Sequence, residues 1–299
     1  MTARFTLAAL LFLAPCVPVA ADGLGLIPTV TNLPLYEPVA LRALPVTVDL
    51  STNLPPAGSQ GAQQSCVAWA VGYYYKGWQE SVEQGWDVND PAHQFSPAFV
   101  YNQRAQGCRV DNGMSFADAM GIITNHGVAP LTSFPARTDD PCKIPDDSVL
   151  LSAWPYRTAG FAPLFLGLGE ANIATLKTVL ALGQPFVIGV AAYDSIWRVT
   201  VDAPVLDVPD DGETLHGWHA LLVVGYDDAM GTFKAVNSWG PTWGDGGYGY
   251  LSYAFVQQEA VEAWVMIDHA EVGEVAKVPE RNTLWLPILL SAPRREEQE

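Results

Sequence analysis

The segment Gln60-Gly61-Ala62-Gln63-Gln64-Ser65-Cys66-Val67-Ala68-Trp69-Ala70, taken with the distant His219-Ala220 and Asn237-Ser238-Trp239-Gly240, decides how this chain is read. These stretches supply a thiol, an imidazole, an amide to orient the imidazole and a second amide for an oxyanion, the set that nucleophilic acyl transfer needs. Cys66 opens an apolar run through Trp78 that ends in the polar Gln79-Glu80-Ser81-Val82-Glu83 and reads as a buried helix. Ser65 is a good N-cap residue. The sulfur would then lie at the positive end of a helix dipole, which lowers a thiol pKa, so a thiolate paired with the His219 imidazolium is expected. Asn237 would hold the ring through its side-chain oxygen, and Gln60 would point its amide at the oxyanion beside the Cys66 backbone N–H.

This arrangement resembles the papain-like cysteine peptidase family, and the long Cys-to-His spacing takes its meaning from that resemblance. Alone, a Cys before an apolar helix is more often an inert core residue, and a His before Ala-Leu-Leu-Val-Val is usually a packed histidine at a strand edge. Four positions in family order weigh against those readings. Residues 95–101 resemble the family's second helix entry, 112–119 its glycine turn and third helix, and 239–248 its tryptophan- and glycine-rich segment. The resemblance covers about Leu44 to His269. It implies an α+β fold of two lobes, one helical and one β-barrel-like, with the active site in the cleft between them. It further implies that Gly113, Trp239 and Ala220 meet the substrate and that Trp239 shields the His219–Asn237 contact from water. Three departures stand out: Gln63 where a disulfide cysteine is usual, Gln64 where glycine is common, and Val67 in place of an aromatic, as in bacterial branches.

The implied activity is that of an exported cysteine endopeptidase acting on polypeptides through a Cys66 thioester. Amidase or transpeptidase chemistry at the same thiol, and a non-catalytic binding module on the same fold, are the alternatives. No cofactor is called for. His216 and His219 lack the further ligands that a zinc site requires, so no metal is expected.

Composition bounds these expectations. A net charge of −17 with only 15 Lys and Arg excludes a nucleic-acid partner, because phosphate binding demands clustered basic residues. Residues 1–21 read as a secretory signal: Arg4, an apolar stretch and Val19-Ala20-Ala21 as the cleavage site. Pro15 before Cys16 argues against lipoprotein processing, and the stretch is too short for a stable membrane anchor. Of four cysteines, Cys16 leaves with the signal and Cys66 is the nucleophile. Cys108 and Cys142 are then expected to pair in an oxidising compartment, two reduced thiols being the alternative.

Residues 22–43, punctuated by Pro28, Pro34 and Pro38, read as a short extended leader before the peptidase domain at 44–270. That length has no room for a large inhibitory domain, so the chain is expected to react with thiol probes as exported. A helix is expected over 170–182, stopped by Gly183, and strands over 186–190, 220–226, 233–236, 248–251 and 263–267. The tail 271–299 carries an apolar run at 284–290 that is expected to dock on the domain. Nothing in the sequence sets the oligomeric state.

Overall fold

The computed structural model describes residues 23–268 apart from 106, 138, 139 and 141, so the signal stretch 1–21 and the tail 271–299 lie outside the described residues. One helix and one strand organise the rest. Cys66–Ala68 is α-helical, Trp69–Lys76 π-helical and Gly77–Gln84 α-helical, and the three run on as a single helix. Its residues from Cys66 to Ser81 are buried on every side, apolar through most of the run and joined by the buried polar side chains of Lys76, Gln79, Glu80 and Ser81. Gly85 ends it in the left-handed conformation, with φ 64°.

The strands are β1 (Thr47–Asp49), β2 (Gly160–Leu166), β3 (Phe186–Tyr193), β4 (Val205–Leu206), β5 (Leu215–Asp227), β6 (Thr232–Val236), β7 (Tyr248–Ser252) and β8 (Ala260–Ile267). They form one sheet in the order β2-β8-β3-β5-β6-β7-β4, with β1 also paired to β5. All pairs are antiparallel except β4 with β7. The expected barrel-like lobe is therefore an open sheet, whose path ends at β2 and β4. Both faces of its middle are covered. Ala220, Leu222 and Val224 of β5 join the core around the 66–84 helix. Leu221 and Val223 join a second core with Leu176, Val179, Leu180 and Phe255. Alternate residues of a strand face opposite ways, so the unbroken apolar run that precedes Gly225 is what a strand buried on both faces requires.

The expected strands all appear, and the helix expected over 170–182 is Ile173–Ala181, delayed because the Asn172 side chain accepts from the Thr175 amide. Four elements among the described α-helices and strands were not expected: β2, disguised by Pro163 and an irregular register there, the two-residue β4, the helix Asp147–Ala153, capped by Asp146, and the helix Tyr253–Glu259, capped by Ser252. Lys76 is buried within the central helix, paired with Glu80 at 2.7 Å and with Asp268. No helix among the described residues is long and apolar enough to cross a membrane.

The leader stays with the domain. Residues 23–29 run along the face where the 66–84 helix meets β5, and further on the Tyr36 amide donates to the Pro163 carbonyl of β2 at 2.7 Å. Cys108 and Cys142 are joined by a disulfide across a separation of 34 residues. Removing it with a double alanine substitution is expected to lower the unfolding free energy by ~3 to 4 kcal/mol, from loop-closure entropy. Urea titration checks this: reductant should bring the wild-type curve to that of the variant, and coincident curves without reductant would contradict it.

Candidate active site

Cys66 is the first residue of the central helix, His219 lies on β5, and Asn237 directly follows β6, the neighbour of β5 in the sheet. All three are buried. His219 Nε2 lies 2.8 Å from Asn237 Oδ1, and the Ser238 amide donates to the same oxygen at 2.7 Å. Because that oxygen can only accept, Nε2 carries the proton of the neutral ring and Nδ1 is bare. His219 Nδ1 has no hydrogen-bond partner among the described residues. Trp239 covers the ring, with centroids 4.5 Å apart, and stacks in turn on Trp197.

The N-cap expected at Ser65 does not form. Ser65 sits at φ −110°, ψ 16°, fixed by its own amide bonding to the Gln63 carbonyl, so its hydroxyl does not reach the first-turn amides. The backbone amides of Ala220, Val67, Cys66 and Leu26 act to lower the thiol pKa, against the larger effect of burial. Gln60 is buried with its carboxamide aimed into the cleft. Its Oε1 accepts from Ser238 Oγ at 2.6 Å, and its Nε2 donates to the carbonyls of Gln63 at 2.6 Å, Gly23 at 2.8 Å and Leu24 at 3.3 Å. Trp239 Nε1 also donates to the Gly23 carbonyl, at 3.3 Å.

The leader thus lies over the site, where an uncovered one was expected. Met114 holds it on one side, donating to the Gly25 carbonyl at 2.9 Å and accepting from the Ile27 amide at 3.1 Å, while the Leu26 amide donates to Trp218 at 3.3 Å. The approach is close enough to demand glycine twice. A Cβ on Gly113 (φ +85°) would lie 2.0 Å from the Gly25 carbonyl oxygen, and one on Gly25 (φ +128°) would lie 2.1 Å from that of Gln64. Gly113 therefore permits the contact, and Met114, which sequence reasoning missed, makes its hydrogen bonds. Leu26 is buried above Gly189, where any side chain would collide with it, and the Thr29 amide meets the buried Glu262 carboxylate at 3.2 Å. The alternation Gly23-Leu24-Gly25-Leu26 was the available signal for a segment that packs backbone against backbone.

Covering the site also changes its electrostatics. Burial pushes the Cys66 thiol up to about 12, and it pushes His219 down to about 4 against a smaller upward effect of Asn237. The thiolate–imidazolium pair expected from the helix dipole is replaced by a neutral thiol and imidazole. Desolvation of both groups outweighs the amides at the helix start. Trp243 belongs to the core, bonding Ile196 and lying against Gly249, and His216 pairs with Asp194 at 2.6 Å.

A profile described as papain family cysteine protease matches residues 100–267, a span that contains His219 and Asn237 and begins after Cys66. A peptidase C1-like protein of Acanthamoeba polyphaga mimivirus is 26% identical over 229 residues, covering 72% of this chain and 71% of that protein. A senescence-specific cysteine protease of Oryza sativa is 27% identical over 236 residues, and the aligned part spans 75% of this chain and 63% of that protein. The crystal structure of xylellain, a cysteine protease from Xylella fastidiosa, superimposes with a TM-score of 0.71 at 26% identity, covering 83% of this chain and 96% of that one. With the family profile spanning more than half its length, the chain belongs to the papain family of cysteine proteases.

Proposed function

We propose that this peptidase is exported and cleaves polypeptides through a thioester on Cys66. The observation that carries the mechanism is the His219–Asn237 bond, which leaves a bare, unpartnered Nδ1 in the same buried site as the free thiol. His219 Nδ1 takes the thiol proton, and the sulfur attacks the substrate carbonyl carbon. The oxyanion is met by Gln60 Nε2 and the Cys66 amide. The imidazolium then returns the proton to the leaving amine, and water, activated by the same ring, hydrolyses the thioester. Export is supported by the Cys108–Cys142 disulfide and by the character of residues 1–21.

Turnover of a fluorogenic peptide tests the assignment. Cys66→Ala and His219→Ala are expected to abolish it with the fold intact, and Gln60→Ala to lower kcat ~100- to 1,000-fold as an oxyanion donor does. Wild-type turnover by a folded Cys66→Ala protein would refute the mechanism.

The leader explains how such an enzyme stays latent. It keeps Cys66 buried and ties up the Gln60 donors. Burying a leucine contributes ~1.5 to 3 kcal/mol, so Leu26→Asp is expected to raise the alkylation rate of Cys66 by iodoacetamide ~10- to 100-fold. An unchanged rate would show that the leader does not restrain the thiol.

Acid and base should each destabilise the covered form. Below the ordinary 6.5 of histidine the unfolded chain takes a proton that buried His219 refuses until about pH 4. Above the ordinary 9.0 of the thiol the unfolded chain loses a proton that buried Cys66 keeps until about 12. Stability should therefore fall by ~1.4 kcal/mol per pH unit on each side, relative to variants lacking the group. Urea unfolding of wild type against His219→Gln (acid limb) and Cys66→Ala (alkaline limb) measures this, and parallel profiles would disprove it.

A further inference from the structure

The two lobes are joined beside the reacting groups by a very short ladder. The Gln60 amide donates to the Ser238 carbonyl at 2.8 Å and the Gly240 amide to the Gly58 carbonyl at 2.9 Å, on either side of the antiparallel pair Ser59 and Trp239. This ladder fixes the loop carrying the Gln60 donor to the segment carrying Asn237. Ser238 Oγ on Gln60 Oε1 adds a side-chain tie between the same two segments. Neither segment belongs to the helix that carries Cys66, so the ladder alone does not align them with the sulfur.

Tyr74 supplies the missing link. It stands on the π-helical part of the central helix, and its hydroxyl is buried. The hydroxyl accepts from the Gly58 amide at 2.9 Å and donates to the backbone carbonyl of Asn237 at 2.9 Å. Gly58 is pressed against the same helix a second time, since a Cβ there would come within 2.1 Å of the Trp69 ring. Asn237 is held from the other side by its own amide, which bonds to the Gly247 carbonyl at 2.9 Å. One hydroxyl therefore ties the helix of the nucleophile to the backbone of the residue that orients the base and to the end of the oxyanion loop. Burial keeps the phenol protonated well above its usual range, so it remains a neutral donor at all working pH values.

We infer that Tyr74 is a positioning residue of this active site: its hydroxyl sets Asn237 and the Gln60 loop in register with Cys66 across the lobe boundary. The assignment rests on the peptidase function proposed above. It follows from the sensitivity of such chemistry to geometry, since a group ~1 Å out of place can cost ~100-fold in rate. The neighbouring Tyr75 offers a matched comparison. Its buried hydroxyl also accepts from a backbone amide and donates to a backbone carbonyl, both of Met266 on β8, at 3.1 and 3.4 Å.

Tyr74→Phe and Tyr75→Phe are to be compared in the full chain and in the full chain carrying Leu26→Asp, by peptide turnover, by melting temperature and by hydrogen exchange at the Gly58 amide. Both should lower the melting temperature by similar amounts. Only Tyr74→Phe is expected to accelerate exchange at Gly58 and to lower kcat ~10- to 100-fold with KM unchanged. Equal loss of kcat in the two variants, no loss in Tyr74→Phe, or a loss carried by KM would overturn the inference. So would a Tyr74→Phe chain that fails to fold where Tyr75→Phe folds, because the hydroxyl would then serve folding and not alignment. If the parents with Tyr74 intact have no turnover in either background, the peptidase function itself fails, and this inference falls with it.

Discussion

The packing of one wholly buried helix against one doubly buried strand is the constraint from which the rest follows. From Cys66 to Ser81 the 66–84 helix gives no face to water, and β5 gives none through its middle, so each covers the other. That contact brings the start of the helix to the part of β5 where His219 lies, and the pairing of β6 with β5 then delivers Asn237 to the imidazole. No loop needs to reach far. Cys66, His219 and Asn237 sit in or directly beside a buried helix and two paired strands, and only Gln60 lies on a loop.

Much of this was legible because it is local or periodic. Continuous apolar runs with β-branched residues marked β3 and β5, and Gly183 marked the end of the helix between them and β2, whose start the unread Asn172 cap sets at Ile173. β2 was hidden because a proline sits where a ladder amide is expected, and the strand pays for it with an irregular register. At the site, the identities of Cys66, His219, Asn237 and Gln60 could be read from type and order. What surrounds them could not. The Ser65 cap failed because a turn two residues wide set its backbone first, and the sequence, which shows the local dipole, does not show the burial by a distant segment that raises the thiol and lowers the imidazole.

That segment brings two demands into opposition. A working nucleophile needs its thiolate and imidazolium solvated or otherwise paired, whereas a quiescent one is safest when both partners are dry and neutral. Residues 23–29 meet the second demand with backbone carbonyls for the Gln60 and Trp239 donors, glycine at the closest approaches and the buried Leu26 side chain. The same stretch uses the cleft's own hydrogen-bonding groups, so occupation by the leader and occupation by another polypeptide are mutually exclusive.

The bond from Tyr36 to Pro163 bears on a different property of the chain. β2 ends the path of the open sheet, and the leader is what lies along it there. An uncovered strand edge is a template for another chain. A molecule trimmed between the cleft segment and Tyr36 keeps that edge occupied and gains an accessible thiol. One trimmed beyond Tyr36 bares the β2 backbone, so the position of the cut divides a freely dispersed enzyme from one prone to pair edge to edge with its own kind.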